Sequence, residues 1–362
     1  MPNIALSSRL SGIGEYYFSQ KLREIDELNK QGKNIISLGI GSPDLPPHAD
    51  VIKTLTEEAA KPNAHAYQSY KGSPVLRKAM SDWYKTWYRT ELNPDTEILP
   101  LIGSKEGIVH ICMTYLNEGD EVLVPNPGYP TYTSAVKLAG AKVRAYTLSA
   151  DNNWQPDFNS LAAAGLKKVK LMFVNYPHMP TGQLPSKKFF EQLVAFAKAN
   201  NILLVHDNPY SFILNESPMS LLEVPGAKER IDEVLRFKSN MDSGMFLPLQ
   251  LAAAKALSLG KDWYDSINAI YRQRREKVFS LLDTLGCTYS KEQVGMFVWA
   301  KIPAGYKDGY ALSDEVLYNA NVFITPGGIF GDAGNGYVRV SLCCAEEKID
   351  QSIQRIKACL VK

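Results

Sequence analysis

The sequence predicts an α/β protein, a three-layer, mainly parallel sheet with helices on both faces, joined to a smaller α+β domain. Three observations predict this. At 362 residues the chain exceeds the size at which one hydrophobic core usually keeps growing, so two domains are expected. From about residue 95, strand-like apolar runs alternate with helical patterns, as in sheets crossed by helices. The last third breaks that alternation with one long charged helix and several short strands.

The elements follow in order. ILPLI (98–102) reads as a strand, and GSKEGIVHICMTYL after it has apolar residues recurring at three and four. EVLVP is a second strand, and Tyr129 to Leu138 a helix. KLMFVNY (170–176) is a nearly continuous apolar run, FFEQLVAFAKANN an amphipathic helix, and ILLVHD a second buried strand. A helix from Asp262 to Leu285 leads to strands MFVWAKI, VFITPG and GYVRVSL and to a final helix from Ala345 to Val361. These assignments divide the chain into a large domain, 50–265, and a small domain made of 1–49 plus 266–362.

Composition narrows the function. Apolar residues make up 45% and charged residues 22%, an ordinary globular balance, and the formal net charge is +2. No long run of one sign points to nucleic acid or to an anionic membrane surface. The start, MPNIALSSRLSG, lacks the pattern of an export signal, and no apolar run approaches membrane-spanning length, so a soluble cytoplasmic protein is expected. The five cysteines (Cys112, Cys287, Cys343, Cys344 and Cys359) are odd in number and have no CxxC spacing. Adjacent Cys343 and Cys344 in a strand-like run point to opposite faces and would not share a metal. Buried reduced thiols and no metal are the expectation.

Open α/β sheets bind ligands beyond the carboxyl ends of their strands. Gly103-Ser104-Lys105 opens a helix there, offering free N–H groups to an anion, though a tight turn with a serine cap explains it as well. PNPGYPTY projects Tyr129 over the strand ends, either to stack on a planar ring or as a core tyrosine. Asp207 ends an apolar strand, where an acid is costly without a cationic or donating partner. A protonated pyridine nitrogen is one such partner, with Tyr210 reaching the ring's phenolic oxygen; a helix cap is the other reading. Arg339, in GYVRVSL, suits a carboxylate held by two parallel hydrogen bonds, or lies extended along the surface.

In order and spacing, IGSPDLPP, YQSYKGSPVLR, GSKEG, GDEVLVPNPGYPTY, NYPHMPTG, HDNPY, SNMDSGMF and GYVRVSL resemble the class I/II aminotransferases of pyridoxal-phosphate fold type I. The resemblance is closest to the branch of LL-diaminopimelate, aspartate and alanine aminotransferases. It implies transfer of an amino group between an amino acid and a 2-oxo acid, with pyridoxal 5'-phosphate as electron sink. It implies that Asp207 pairs with the pyridinium, Tyr210 bonds the ring oxygen and Tyr129 stacks on the ring, the three catalytic positions. Ser104 and Lys105 would hold the phosphate, Lys105 chiefly through its backbone, and Asn175 would also touch the cofactor. Gly41 would adjoin the substrate and Arg339 clamp its α-carboxylate. Tyr67 would reach the phosphate of a neighbouring subunit, which implies a homodimer with shared sites. A lyase of the same fold and a catalytically inactive ligand-binding member are the alternatives.

Two positions depart from the family pattern. Met179 stands where asparagine usually precedes PTG, so the ring oxygen loses a contact unless His178 or Asn175 replaces it. The segment that resembles S-x-S-K in the family, with the Schiff-base lysine, a phosphate-binding serine and arginine and a strand of the central sheet, has no counterpart. Gly226-Ala227 runs directly into Lys228-Glu229-Arg230 and a helix expected from about Ala227. Lys238, 31 positions after Asp207 (238 − 207), lies in RFKSNMDSG, whose family counterpart follows the segment, and is rejected as its substitute; so is Lys228. Loss of an interior strand would expose unpaired backbone groups, which favours a polypeptide that carries the segment over one that lacks it.

Overall fold

The computed structural model describes residues 4–10, 12–228 and 232–360. After helix α1 (Tyr17–Lys30) and the short strand β1 (Ile36–Ser37) come α2 (Ala49–Ala59), α3 (Pro74–Tyr88) and α4 (Ser104–Tyr115). Strands and helices then alternate: β2 (Glu121–Asn126), α5 (Pro130–Leu138), β3 (Lys142–Thr147), α6 (Phe158–Ala163), β4 (Val169–Asn175), α7 (Lys187–Ala199) and β5 (Leu203–Asp207). Local chemistry sets the helix starts. Ser73 caps α3 by accepting from the Leu76 amide, with Pro74 as the first helical residue, and Ser186 caps α7 in the same way.

The large sheet has the order β3-β2-β4-β5, all parallel. Its two covered faces can be read from β4, whose side chains alternate with a period of two. Met172 and Val174 pack with Phe189, Phe190 and Leu193 of α7. Leu171 and Phe173 pack with Ile108 and Cys112 of α4 and Tyr132 and Val136 of α5.

Two expectations for this sheet are corrected. Residues 98–102 form no strand, and Ile102 is 78% exposed. ILLVHD does form β5, but all five of its residues are half-buried and it pairs only with β4. The reason is common to both: beyond β5 no further strand joins the sheet among the described residues. β5 is therefore an edge, and the run at 98–102 has no neighbour to complete a ladder.

The remainder comprises α8 (Asp232–Lys238), α9 (Leu247–Leu257), α10 (Lys261–Thr284), β6 (Phe297–Lys301), α11 (Gly309–Ala320), β7 (Val322–Phe323), β8 (Thr325–Pro326), β9 (Tyr337–Ser341) and α12 (Glu346–Leu360). The expected strand VFITPG is thus split in two: β7 pairs with β1, and β8 joins an antiparallel sheet of order β6-β9-β8. α8 is described from Asp232, and Ala227 and Lys228 are not helical; Glu229, Arg230 and Ile231, on which the rest of the expected helix start falls, lie outside the described residues, as does Val361. Cys343 and Cys344 come after β9 has ended, and Cys359 is exposed, which corrects their placement in a strand and the expectation that every thiol is buried.

The β6–β9 ladder sets Trp299 opposite Arg339. Val298, Ala300, Val338 and Val340 face α10, α11 and α12. By the same alternation Phe297 and Trp299 turn the other way and join the core cluster built on β4 and α7. Arg339 is thereby aimed at the large sheet.

Candidate active site

Register brings the sequence-predicted residues together. β4 and β5 end side by side, Asn175 opposite Asp207, and Tyr129 follows the end of β2 as the N-cap of α5. A cavity of ≈ 590 Å³ opens beyond these strand ends, lined by Gly41, Ser104, Tyr129, Asn175, Asp207, Tyr210 and Arg339, together with apolar and aromatic side chains. Of the other predicted residues, Lys105 stands beside the cavity, its ammonium 6.0 Å from the centre of the Tyr129 ring and 5.5 Å from that of Tyr16. Tyr67 is 91% exposed and is not part of the cavity wall.

Asp207 caps no helix. The buried Tyr132 hydroxyl donates to its Oδ2 at 2.8 Å, and among the described residues no other side chain donates to the carboxylate. Burial pushes the Asp207 pKa up, and the Tyr132 hydrogen bond only partly offsets this. Tyr132 itself is fixed by stacking on Phe173, with ring centres 4.7 Å apart and planes 7° from parallel. Sequence reasoning missed Tyr132; its signal was the spacing of three from Tyr129, which brings two tyrosines to one side of the first turn of a helix. Tyr129 meets Tyr132 edge-on, at 5.6 Å between ring centres.

The first turn of α4 borders the cavity through Ser104. Its cap is Gly103, in extended conformation and with no side-chain hydrogen bond, so Ser104 is the first helical residue rather than the cap. No side-chain cap takes up the first amides of the helix, an end that suits an anion. Glu106, an acid in the same turn, is drawn away: its carboxylate accepts from the Ile102 amide at 2.6 Å and lies 3.0 Å from His110 Nε2.

Arg339 is 4% exposed. Nη2 donates to the Gly39 carbonyl at 3.0 Å, Nη1 meets the Met179 sulfur at 3.4 Å, and Nε has no partner. Its guanidinium carbon lies 3.8 Å from the ring centre of Phe297 and 4.6 Å from that of Phe330. Burial pulls its pKa down to about 10, so it is still charged at neutral pH, and among the described residues no acid pairs with it. The surface alternative for Arg339 is thereby excluded. At Gly41 a Cβ would run into the Phe297 ring that lies under the arginine, so any larger residue has to displace that ring.

Of the two proposed replacements for the missing asparagine, Asn175 is engaged within the chain and His178 does not line the cavity. Asn175 donates to the Asp207 carbonyl at 2.6 Å and accepts from the Met179 amide at 2.7 Å. His178 is buried, its Nδ1 lies 2.8 Å from Thr181 Oγ1, and burial pulls its pKa down to about 3. Tyr210 is left as the cavity-lining hydroxyl near the arginine; burial pushes its pKa up to about 12.

No lysine lines the cavity among the described residues. Lys238 is buried in a separate cluster, its ammonium 2.6 Å from Asp242 and 3.9 Å from Glu106. Glu106, His110 and Asp242 hold three potential metal-ligand atoms within 4.8 Å of one another, and Lys238 supplies the positive charge there. Lys228 reaches Glu97 at 3.3 Å and the Glu91 carbonyl.

Comparisons with known proteins identify the family. The family model described as aminotransferase class I and II matches residues 33–239 and 226–356. The LL-diaminopimelate aminotransferase of Dehalococcoides mccartyi (strain ATCC BAA-2266 / KCTC 15142 / 195) is 37% identical over 380 positions, covering 97% of this chain and 98% of the relative. Those 380 positions exceed the 362 residues of the chain, so at least 18 of them (380 − 362) have no residue here. The apo-BacF structure from Bacillus subtilis superimposes with a TM-score of 0.93 at 33% identity, covering 98% of each chain. A single mutant of Thermus thermophilus aspartate aminotransferase, 22% identical with a TM-score of 0.89 over 98% of this chain and 99% of the other, shares the fold. The chain belongs to the class I and II aminotransferases, enzymes of the α/β pyridoxal-phosphate fold, and its function is the transfer of an amino group between an amino acid and a 2-oxo acid.

Proposed function

We propose that the cavity holds pyridoxal 5'-phosphate between Tyr129 and the strand ends, with the nitrogen of the ring facing Asp207. The observation that carries this reading is the presence of two incompletely matched ionisable groups on one cavity, the half-buried Asp207 and the buried Arg339. An unpaired buried charge is costly, so each calls for a ligand of opposite sign: a pyridinium for the acid and an α-carboxylate for the arginine. When bound, the cofactor supplies an electron sink for the amino acid's Cα.

The chain's own residues do the rest. Asp207, steadied by Tyr132, keeps a proton on the ring nitrogen; Tyr129 covers the ring; Ser104 and the first amides of α4, with Lys105, hold the phosphate; Tyr210 donates to the ring oxygen. Asn175 acts by fixing the Asp207 and Met179 backbones. In the domain division proposed here, residues 50–265 carry the cofactor, and 266–362 with 1–49 deliver Arg339 and Gly41. Tyr67, exposed on a single chain, would complete the site of a second copy in a homodimer. No helix among the described residues is long and apolar enough to cross a membrane, in keeping with work in the cytoplasm.

Among the described residues no lysine lines the cavity, and the contacts named above are those that hold the cofactor. The test is titration with pyridoxal phosphate followed by borohydride treatment. Saturable binding that weakens in Asp207→Ala is expected, with borohydride adducts confined to exposed lysines and indifferent to that substitution. Absence of saturable binding, or binding unchanged in Asp207→Ala, would overturn the reading.

A further inference from the structure

A second cavity, of ≈ 450 Å³, opens between the proposed domains, and its volume is usual for a small-molecule site. The domains meet at Gly182 and Gln293, which both line it: a Cβ on Gly182 would come within 2.8 Å of the Gln293 Cβ, and the Val294 amide donates to the Gly182 carbonyl at 3.0 Å. Part of the lining is aromatic. Trp299 and Tyr337 stack with ring centres 5.0 Å apart and planes 10° from parallel, and Trp154 stands edge-on to both, at 6.4 and 5.5 Å. Trp154 is brought there by a backbone at φ +53°, next to Asn153 at +50°, conformations that are costly for a bulky side chain. The turn is held in place, since the Trp154 amide donates to the Ser149 carbonyl at 2.8 Å and the Tyr176 hydroxyl donates to the Trp154 carbonyl at 2.6 Å. The loop before β6 is fixed as firmly: the Gln293 side chain accepts from the Trp299 amide at 2.7 Å and donates to the Ser290 and Trp299 carbonyls, each at 2.9 Å.

This cavity shares its strands with the active site. By the period of two, Tyr337 lies on the same face of β9 as Arg339, and Trp299 on the same face of β6 as Phe297. One face of the small sheet thus presents the arginine and its phenylalanine to the first cavity and the stacked pair to the second. A preorganised aromatic lining suits a planar ring, which gains from leaving water and from ring contacts. Lys301 and Glu292 bring one charge of each sign to the exposed rim, so an anionic group is favoured on the lysine side and disfavoured on the other. We propose that this cavity is a second ligand site, which takes a small aromatic carboxylate with its ring against Trp154, Trp299 and Tyr337 and its acid group toward Lys301. Ring and acid group are both received by groups present in a single chain.

3-Phenylpropionate, a ring with one acid group and no amine to react with the cofactor, tests this. It is titrated calorimetrically into the protein saturated with pyridoxal phosphate. Two equivalents per chain are expected, one at the Arg339 seat of the proposed function and one between the domains. Thr288→Trp, which fills the second cavity from an exposed position in its lining, should remove one equivalent, and Arg339→Gln the other. Lys301→Gln should weaken the second equivalent and Glu292→Gln should tighten it, each by about two- to fivefold, the scale of an exposed charge pair. A single equivalent that Arg339→Gln removes, and that the Thr288, Lys301 and Glu292 variants leave unaltered, overturns the second site and leaves the carboxylate seat standing. A single equivalent with the reverse dependence supports the second site and removes the seat instead. No saturable binding, or two equivalents that all three second-cavity variants leave unchanged, overturns the proposal.

Discussion

Replacing Asp207 by asparagine should move stability and cofactor affinity in opposite directions. The Asp207 carboxylate is pushed toward its neutral form by burial, and its side-chain donor is the Tyr132 hydroxyl at 2.8 Å. Its folded pKa is raised above the unfolded value, so the folded state holds the proton longer. The resulting penalty is absent below the unfolded pKa and is fully present once the pH exceeds the folded one. At pH 7 the cofactor-free protein therefore carries a cost that Asn, neutral at every pH and still able to bond Tyr132, does not. The cofactor-free variant should be at least as stable as the parent, with a flatter dependence on pH in the acid range. Its affinity for pyridoxal phosphate should fall, because a hydrogen bond to a charged group contributes about 1.5–3 kcal/mol, or roughly 10- to 150-fold in Kd. Urea denaturation with and without cofactor, beside a spectroscopic titration, reads both quantities. The parent gains about 2.7 kcal/mol from cofactor at a hundred times Kd, and the variant at that same concentration should gain much less. A variant that binds the cofactor as tightly as the parent, or that is less stable than the parent without it at pH 7, refutes the reasoning.

Two further outcomes follow. Burial pulls the imidazoles of His178 and His206 down to about 3 and about 4, so unfolding takes up their protons below the ordinary histidine pKa. Stability should be full above about pH 6.5 and fall toward pH 4 by about 1.4 kcal/mol per pH unit for each histidine; His178→Gln should remove one such contribution from the pH dependence of the urea midpoint, and an unchanged slope would contradict it. Gly41→Ala should displace the Phe297 ring that lies under Arg339 and weaken 3-phenylpropionate by about tenfold, and calorimetry showing unaltered affinity would mean that this close approach does not hold the arginine in place.

What was legible in the sequence was whatever depends on local pattern. The nearly continuous apolar run of β4, the period of two in β9 and the proline-rich exit at Tyr129 were visible, and so was the acid closing β5. Asp207, Tyr129 and Arg339 were nameable because an acid or an arginine among apolar neighbours is conspicuous in a string. The companions that complete the site were not, since their roles come from packing. Tyr132 matters through a hydroxyl that reaches across from α5 to β5, and Phe330 through its place under a guanidinium delivered by a different strand. The reading of 98–102 as a strand failed for a related reason. Apolar alternation gives a segment the capacity to pair, but a strand exists only where a neighbour supplies the other half of its ladder.

That missing neighbour ties together three features that otherwise look unrelated. Among the described residues β5 is a half-buried edge although its composition suits an interior strand, 98–102 run without a strand partner, and no lysine lines the cavity. One absence produces all three if the positions of the D. mccartyi alignment that have no residue in this chain belong to a segment between Gly226 and α8, since such a segment would bring both a strand and an amine. Edge strands with free N–H and C=O groups invite pairing with another chain, so a polypeptide of this sequence should associate through β5 unless something covers it. The intact mass decides which molecule folds. The 362-residue chain weighs 40.3 kDa, and a purified, monodisperse protein of that mass would show that the α/β frame persists with β5 as its edge. A mass about 3 kDa greater, corresponding to roughly two to three dozen residues, would mean that the sheet continues past β5 and that the amine absent from this cavity is carried on that continuation.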